Sequence, residues 1–300
     1  MSDAPGRVAW VFPGQGSQRV GMGQELAASD PEIAALYAQA DAELGFALSD
    51  IIFHGPDDAL QQTPVQQPAI LLTSVAYLIA LKKRGLLPEA DYVAGHSLGE
   101  YSALVAAGAL SLADGLHLVR RRGELMQQFG AGAMAAILGL APDTVADIAR
   151  EAGADVANFN APDQTTISGT RVAVEQAMGL AKERGAKRAI LLPVSAAFHS
   201  TLMQEAETGM RPYLMAVPMV PPEPPLVANV DAAILDDTDS IRRELIAQIC
   251  GSVRWVDVVN TLSSEGVTHY YEVGPGKVLA GLLARSAPGA TVDTAEKLLA

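Results

Sequence analysis

A short apolar run, Tyr92-Val93-Ala94, leads straight into Gly95-His96-Ser97-Leu98-Gly99, and the residues that follow, 98–110, are apolar on nearly every side. A strand that short and apolar belongs in a sheet buried on both faces, and a helix with no polar side belongs in a core. The glycines between them predict a turn too tight for larger side chains. The same alternation precedes it. Residues 8–12 form an apolar run ending at Pro13-Gly14, and residues 31–44 and 68–84 carry helical spacing. The second of these closes on Lys82-Lys83-Arg84 and Gly85; basic residues in a last turn followed by glycine are a stop signal. Strands alternating with helices predict an α/β fold with a mainly parallel sheet.

The middle of the chain changes rhythm. Residues 134–140 read as strand, 143–151 as helix, 156–159 and 165–168 as strands, 172–184 as helix and 188–194 as strand. That β-α-β-β-α-β order is the pattern of a split βαβ, ferredoxin-like unit. It predicts a small domain over residues 131–197, entered through Gly130-Ala131-Gly132, set into a large α/β domain made of residues 1–130 and 198–300. Five prolines between Pro218 and Pro225 predict an extended connector, after which residues 226–230 and 269–273 return to the main sheet as strands. A chain of 300 residues supports such a core without disulfide or metal.

Acidic residues outnumber basic ones by 34 to 21, for a net charge of −13. That disfavours nucleic acid as a partner, since phosphate binding needs a basic face. Cys250 is the only cysteine, so an intramolecular disulfide and a cysteine-rich zinc site are both excluded. Residues 1–7 are polar and lack the features of a signal peptide. Apolar stretches such as 103–110 are shorter than the ~20 residues of a membrane span. The expectation is a soluble cytoplasmic protein with no membrane partner.

Gly95-His96-Ser97-Leu98-Gly99 matches the G-x-S-x-G elbow, in which a sharp strand-to-helix turn lifts a serine hydroxyl clear and aims a helix N-terminus at a developing oxyanion. Ser97 is therefore a candidate nucleophile; the competing reading is a serine that caps the helix after it. A serine needs a base. Among five histidines, His96 lies inside the elbow, His117 falls in a helical stretch, and His54 and His269 have no motif around them. His199 follows the end of a strand where the small unit rejoins the large one, and clefts between domains are usual sites; a structural histidine remains the alternative. The loop Phe12-Pro13-Gly14-Gln15-Gly16-Ser17-Gln18 fails as a phosphate site. Gly16 and Gly21 have Walker A spacing, but Met22-Gly23 stands where Lys and Ser/Thr are required. Its backbone N–H groups can instead supply half of an oxyanion hole. In Arg120-Arg121-Arg122, Arg120 and Arg122 flank the apolar stripe Leu112, Leu116, Val119, Met126 and Arg121 faces away from it. Spacing alone favours a solvated basic face over an arginine reaching into a cleft.

Together these motifs resemble the malonyl-CoA:acyl carrier protein transacylases of fatty acid synthesis. The elbow runs on into Glu100-Tyr101-Ser102, and Arg122-Gly123 with Met126, Asn158-Phe159-Asn160, Phe198-His199-Ser200 and Glu272-Val273-Gly274-Pro275-Gly276-Lys277 complete the pattern from about Val8 to Leu283. The resemblance implies an α/β-hydrolase-like core with a ferredoxin-like insert. It implies Ser97 as the acyl acceptor, His199 as its base, and the N–H groups of Gln15 and Leu98 as the oxyanion hole. It places Arg122 on the malonyl carboxylate, with Gln67, Asn158 and Asn160 lining the site. The main-chain carbonyl of Gln248 would orient the histidine in place of a triad aspartate. Phe198 would crowd a branching methyl and so favour malonyl over methylmalonyl. The partners implied are malonyl-CoA and an acyl carrier protein, with CoA and phosphopantetheine as substrates and no cofactor or metal; a monomer is expected. Lys182, Arg184, Lys187 and Arg188 are the candidate patch for an acidic carrier. The rivals are the same transfer in polyketide synthesis or a malonate decarboxylase, a serine esterase or thioesterase, and a non-catalytic carrier-binding module. A hydrolase would want an aspartate for its histidine, and Asp114, Asp143 and Asp155 sit in poor contexts for one.

Overall fold

The computed structural model describes residues 6–194 and 196–300. The polar leader read over residues 1–7 is thus covered only from Gly6, and Ser195 in the approach to His199 also lies outside the described residues. Among the described residues ten strands make two sheets: β1 (Arg7–Phe12), β2 (Tyr92–Gly95), β3 (Ala133–Leu138), β4 (Asp155–Ala161), β5 (Gln164–Gly169), β6 (Arg188–Leu191), β7 (Leu226–Val227), β8 (Ile234–Leu235), β9 (Val267–Glu272) and β10 (Thr291–Thr294).

The larger sheet has the order β10-β9-β1-β2-β7-β8. All its pairs are parallel except β7 with β8. The apolar runs predicted for β1 and β2 lie at its centre, with Trp10, Val11, Phe12, Val93 and Ala94 buried. Helices cover both faces, as parallel sheets require. Phe12 pairs with Gly95, so the Pro13-Gly14 loop and the elbow leave the sheet side by side at the carboxyl ends of adjacent strands. That edge is where open α/β sheets bind ligands.

The smaller sheet, order β4-β5-β3-β6, is antiparallel throughout. Its chain order is the predicted β-α-β-β-α-β, with helices Pro142–Ala152 and Arg171–Glu183. Both pack on one face over Ala133, Ala135, Ile137 and Ile167, through Val145, Ile148, Val174 and Ala177. Edge strand β4 faces the main body: the Phe159 N–H donates to the Val253 carbonyl at 2.9 Å and the Val253 N–H to that of Ala157 at 2.8 Å.

Several boundaries differ from expectation for identifiable reasons. The helix expected from residue 68 begins at Thr63 and carries Pro68 inside it. Only one early-turn N–H is forfeited there, and Pro64 starts the helix well. This helix, Thr63–Lys83, is by length and composition long and apolar enough to cross a membrane, unlike the stretch 103–110. It is buried nearly end to end between other helices. The helix after the elbow is Gly99–Ala106, ending short of residue 110 where Gly108 takes φ 70°. Strand β6 stops at Leu191, and β7 pairs only over Leu226 and Val227 before the chain turns back as β8. The proline-rich connector is extended and tied down: the Val220 and Glu223 N–H groups donate to the Ala109 and Ala107 carbonyls.

Candidate active site

The elbow is built by close approach. A Cβ on Gly95 would lie 1.9 Å from the carbonyl carbon of Gly99, and one on Gly99 would lie 2.1 Å from the Phe12 carbonyl oxygen. Only glycine at both positions lets the elbow helix press onto β1 and β2. Ser97 at the apex takes φ 52°, a left-handed conformation that costs energy for a residue with a Cβ. His199 does the same at φ 56°, which swings its ring toward the elbow. Their contact is the centre of the site: Ser97 Oγ to His199 Nε2 is 2.7 Å.

The ring's other nitrogen settles its tautomer. His199 Nδ1 lies 2.8 Å from the Gln248 carbonyl oxygen and 3.1 Å from that of Gly251. Carbonyls only accept, so Nδ1 carries the hydrogen and Nε2 presents a lone pair to the serine hydroxyl. Burial lowers the His199 pKa to about 3, and the neighbouring Arg122 charge pushes the same way. The imidazole is neutral at working pH and able to take a proton.

Among the described residues no carboxylate bonds Nδ1. Asp155 accepts from the N–H and Oγ1 of Thr201, both at 2.9 Å. Asp114 exchanges capping bonds with Ser111, and Asp143 sits in the first turn of its helix. The other histidines are likewise accounted for: His54 pairs with Asp50, His117 with Glu43, and His269 with Asp293. His96 Nε2 lies 2.8 Å from Asn160 Oδ1, and its ring packs against Trp255.

Arg122 corrects the expectation drawn from spacing. Its neighbours are surface residues, Arg120 bonding Glu124 and the Leu44 carbonyl and Arg121 bonding Glu124. Arg122 itself is fully buried. It lies three residues after Val119 and four before Met126, on the buried stripe rather than beside it. The cause is Gly123: a Cβ there would sit 2.6 Å from the Thr63 carbonyl oxygen, so the two long helices touch backbone to backbone and carry Arg122 inside. Its Nη1 donates to Gln67 Oε1 at 3.0 Å, and Nη2 donates to Ser97 Oγ at 3.0 Å and Gln248 Oε1 at 2.8 Å. Its Nε has no partner, and no ion pair involves it among the described residues.

The remaining predicted residues divide. Gln67 and Gln248 converge on Arg122. Gln15 stands on the loop after β1, where its side chain bonds Gln66. Leu98 is the residue at the N-terminus of the elbow helix. Neither of their backbone N–H groups has a hydrogen-bond partner among the described residues. Phe198 is buried beside His199. Asn158 and Asn160 lie on β4, and Asn160 spends its amide on His96 and Thr166, one step removed from the serine. Lys182, Arg184, Lys187 and Arg188 are exposed, away from this cluster, at the end of one helix and the start of β6.

Sequence reasoning missed Asn229, Glu100, Glu244 and the side-chain role of Gln248. The Asn229 amide bonds the elbow backbone on both sides of His96, and Gln248 Nε2 donates to the Ser97 carbonyl and to Glu100 Oε2. The one available signal was Glu100, a charged residue in a helix otherwise apolar all round.

Residues 9–254 match the model of the acyl transferase domain family. Over 285 residues the chain is 47% identical to the malonyl CoA-acyl carrier protein transacylase of Bacillus subtilis, covering 92% of this chain and 89% of that one. It is 44% identical to the enzyme of the same name from Escherichia coli K12, over 92% of each. Among solved structures, the acyl-carrier-protein-S-malonyltransferase of Bartonella henselae superposes with a TM-score of 0.94 at 41% identity, covering 98% of this chain and 97% of that one. The structure of a type II polyketide synthase acyl carrier protein in complex with its malonyl-transacylase gives 0.93 at 38% identity, over 96% and 95%. This chain belongs to the acyl transferase family, among its malonyl-CoA:acyl carrier protein transacylases.

Proposed function

We propose that the protein transfers a malonyl group from malonyl-CoA to the phosphopantetheine thiol of an acyl carrier protein through a malonyl ester on Ser97. The observation that carries this reading is Arg122, a buried cation without a carboxylate bonded to it, 3.0 Å from the hydroxyl that would be acylated. A buried charge is expensive until an opposite charge meets it. A malonyl carboxylate would do so, and acetyl has none to offer.

His199 Nε2 takes the Ser97 proton as Oγ attacks the thioester carbonyl. The oxyanion forms toward the N–H groups of Gln15 and Leu98, each worth about 3 kcal/mol in such holes. The C–S bond breaks, His199 returns the proton to the departing CoA sulfur, and malonyl stays on Oγ. The carrier's thiol then gives its proton to His199, attacks the ester, and leaves Ser97 to recover the proton, so the kinetics are ping-pong. The neutral, carbonyl-held histidine is a modest base, adequate for thioester chemistry because a thiol leaves readily. CoA and phosphopantetheine are substrates, and the cycle needs no cofactor or metal. Gln67 and the Gln248 side chain hold the guanidinium; Asn158 and Asn160 line the wall on β4, Asn160 acting through His96. The Gln248 carbonyl orients His199 where a hydrolase would use an aspartate, which disfavours the esterase reading.

In this reading the larger sheet is an α/β-hydrolase-like core of residues 1–130 and 198–300, the smaller a ferredoxin-like insert of 131–197, and the enzyme a cytoplasmic monomer. It serves fatty acid synthesis. The similarity to a malonyl-transacylase in complex with a type II polyketide synthase acyl carrier protein favours a second setting for the same chemistry.

The test is to incubate the protein with radiolabelled malonyl-CoA, quench, and map the adduct by mass spectrometry. Label on Ser97 that moves to holo-carrier and survives in water supports the transferase; prompt release of free malonate means a hydrolase. In the same assay Phe198→Ser is expected to improve methylmalonyl relative to malonyl by ~10–200-fold, the range one methyl can command in a pocket. An unchanged ratio removes Phe198 from selectivity.

A further inference from the structure

We propose that Asn229 is the positioning residue of the elbow, and that Glu100 and Glu244 hold it in place by keeping a proton between their two carboxylates. The inference rests on the reading of Ser97 as nucleophile.

Ser97 stands in a conformation that its own backbone disfavours, so neighbouring groups must hold it there. Asn229 Oδ1 accepts the Ser97 N–H at 2.7 Å, and its Nδ2 donates to the Gly95 carbonyl at 2.7 Å. One amide thus clasps the peptides on both sides of His96. Asn229 lies in the turn just after β7 and is fully buried.

Asn229 is itself gripped from behind. Its backbone N–H is shared between Glu100 Oε1 at 2.7 Å and Glu244 Oε1 at 2.9 Å, and the latter also accepts from Val230 N–H at 2.9 Å. Glu100 comes from the elbow helix, Glu244 from helix Thr238–Ala247, and both are buried. Two carboxylates on one donor inside a core cannot both ionise cheaply, and they titrate as a unit. The groups that bear on Glu100 are Glu244, the Gln248 amide, the Arg122 guanidinium and Tyr101; those on Glu244 are Glu100 and Asp231. Burial raises both, Glu244 to about 7 and Glu100 well above the usual carboxylate range, and only Arg122 pulls Glu100 down by its charge.

The sign follows. At neutral pH at least one proton stays on the pair. As pH rises it is lost, two negative charges face each other across the Asn229 N–H, and the clasp loosens. Gln248 carries the disturbance to both reacting groups, since its Nε2 bonds Glu100 and the Ser97 carbonyl while its main-chain oxygen holds His199. Gln248 also holds Arg122, so the acylation rate at saturating malonyl-CoA is the readout that isolates the action on Ser97 and His199.

The experiment is rapid-quench acylation of Ser97 by radiolabelled malonyl-CoA from neutral to alkaline pH, on wild type, Asn229→Ala and Glu244→Gln. Asn229→Ala is expected to slow acylation by about 100-fold, the usual loss when a reacting group shifts by an ångström, with KM little changed. Glu244→Gln keeps the carbonyl acceptor but cannot ionise, so its alkaline fall in rate moves up by at least about one pH unit. A wild-type rate in Asn229→Ala overturns the positioning role, and superimposable pH profiles for Glu244→Gln and wild type overturn the shared proton. If Asn229→Ala does not fold, the Glu244→Gln profile decides alone. Failure of wild type to label Ser97 refutes the proposed function instead.

Discussion

Arg122 brings its charge into an interior where its bonded neighbours are two glutamine oxygens and a serine hydroxyl, all neutral. Such a guanidinium is costly in the free protein and gains most from a ligand bearing a carboxylate, for which its planar fork is shaped. Arg122→Ala should therefore lower the malonyl-to-acetyl ratio of acylation rates by about 100-fold, matching the 2–5 kcal/mol lost when one partner of a buried charged pair is removed. Competition between the two labelled CoA esters measures it, and an unchanged ratio refutes the role. Ser97 and His199 were legible because their signals are local, an elbow pentapeptide and a histidine at a chain junction. Arg122 came only from the family resemblance and not from spacing, because its burial depends on how closely Gly123 lets a second helix approach. Asn229 lies 132 positions from Ser97 and has no motif of its own.

The elbow joins two elements that must nearly touch, and the whole segment depends on that contact. Gly99→Ala would drive a methyl into the Phe12 carbonyl, 2.1 Å away, where the obstacle is backbone in the central strand and cannot rotate aside. The helix must lift off the sheet, which strains a packed core by about 1–3 kcal/mol or more and displaces Ser97 with it. Denaturant unfolding should show the midpoint fall, and acylation should drop in parallel. A comparable substitution at Gly108, where nothing lies within 4 Å of the new methyl, strains only its own φ and should leave acylation near wild type. Full stability in Gly99→Ala would mean that the contact is not limiting. Strands β1 to β7 and β9 and the order of the smaller domain could be read from apolar period, Gly and Pro, whereas β8, β10 and helices such as Thr238–Ala247 and Trp255–Ser264 were not. Element ends could not be read either, because β6, β7 and the elbow helix stop where tertiary partners run out, and Pro68 is tolerated inside a helix that packing holds on every side.

Across the whole molecule the smaller sheet meets the main body along one edge, where β4 bonds Val253 in the segment before helix Trp255–Ser264, leaving β6 as its other edge. The family resemblance implies an acidic carrier, and this chain carries a net charge of −13, so long-range repulsion opposes their encounter unless a local positive field reverses it. Lys182, Arg184, Lys187 and Arg188 are exposed from the end of helix Arg171–Glu183 to the start of β6; Arg184 is paired with Glu151, and the other three have no ion pair among the described residues. Exposed charges act over roughly 8–10 Å at ordinary ionic strength, so three unneutralised cations close together in sequence are enough to bias docking on this face. Replacing Lys182, Lys187 and Arg188 together with Glu is expected to raise the KM for carrier at least about tenfold at low salt, with the difference shrinking as salt is added, since rim charges govern encounter more than the bound state. Malonylation of Ser97 by malonyl-CoA alone should stay at the wild-type rate, because the patch stands apart from the Ser97–Arg122 cluster. Should transfer to the carrier be indifferent to both the reversal and the salt, the carrier approaches by another face and the charges at β6 serve only solubility.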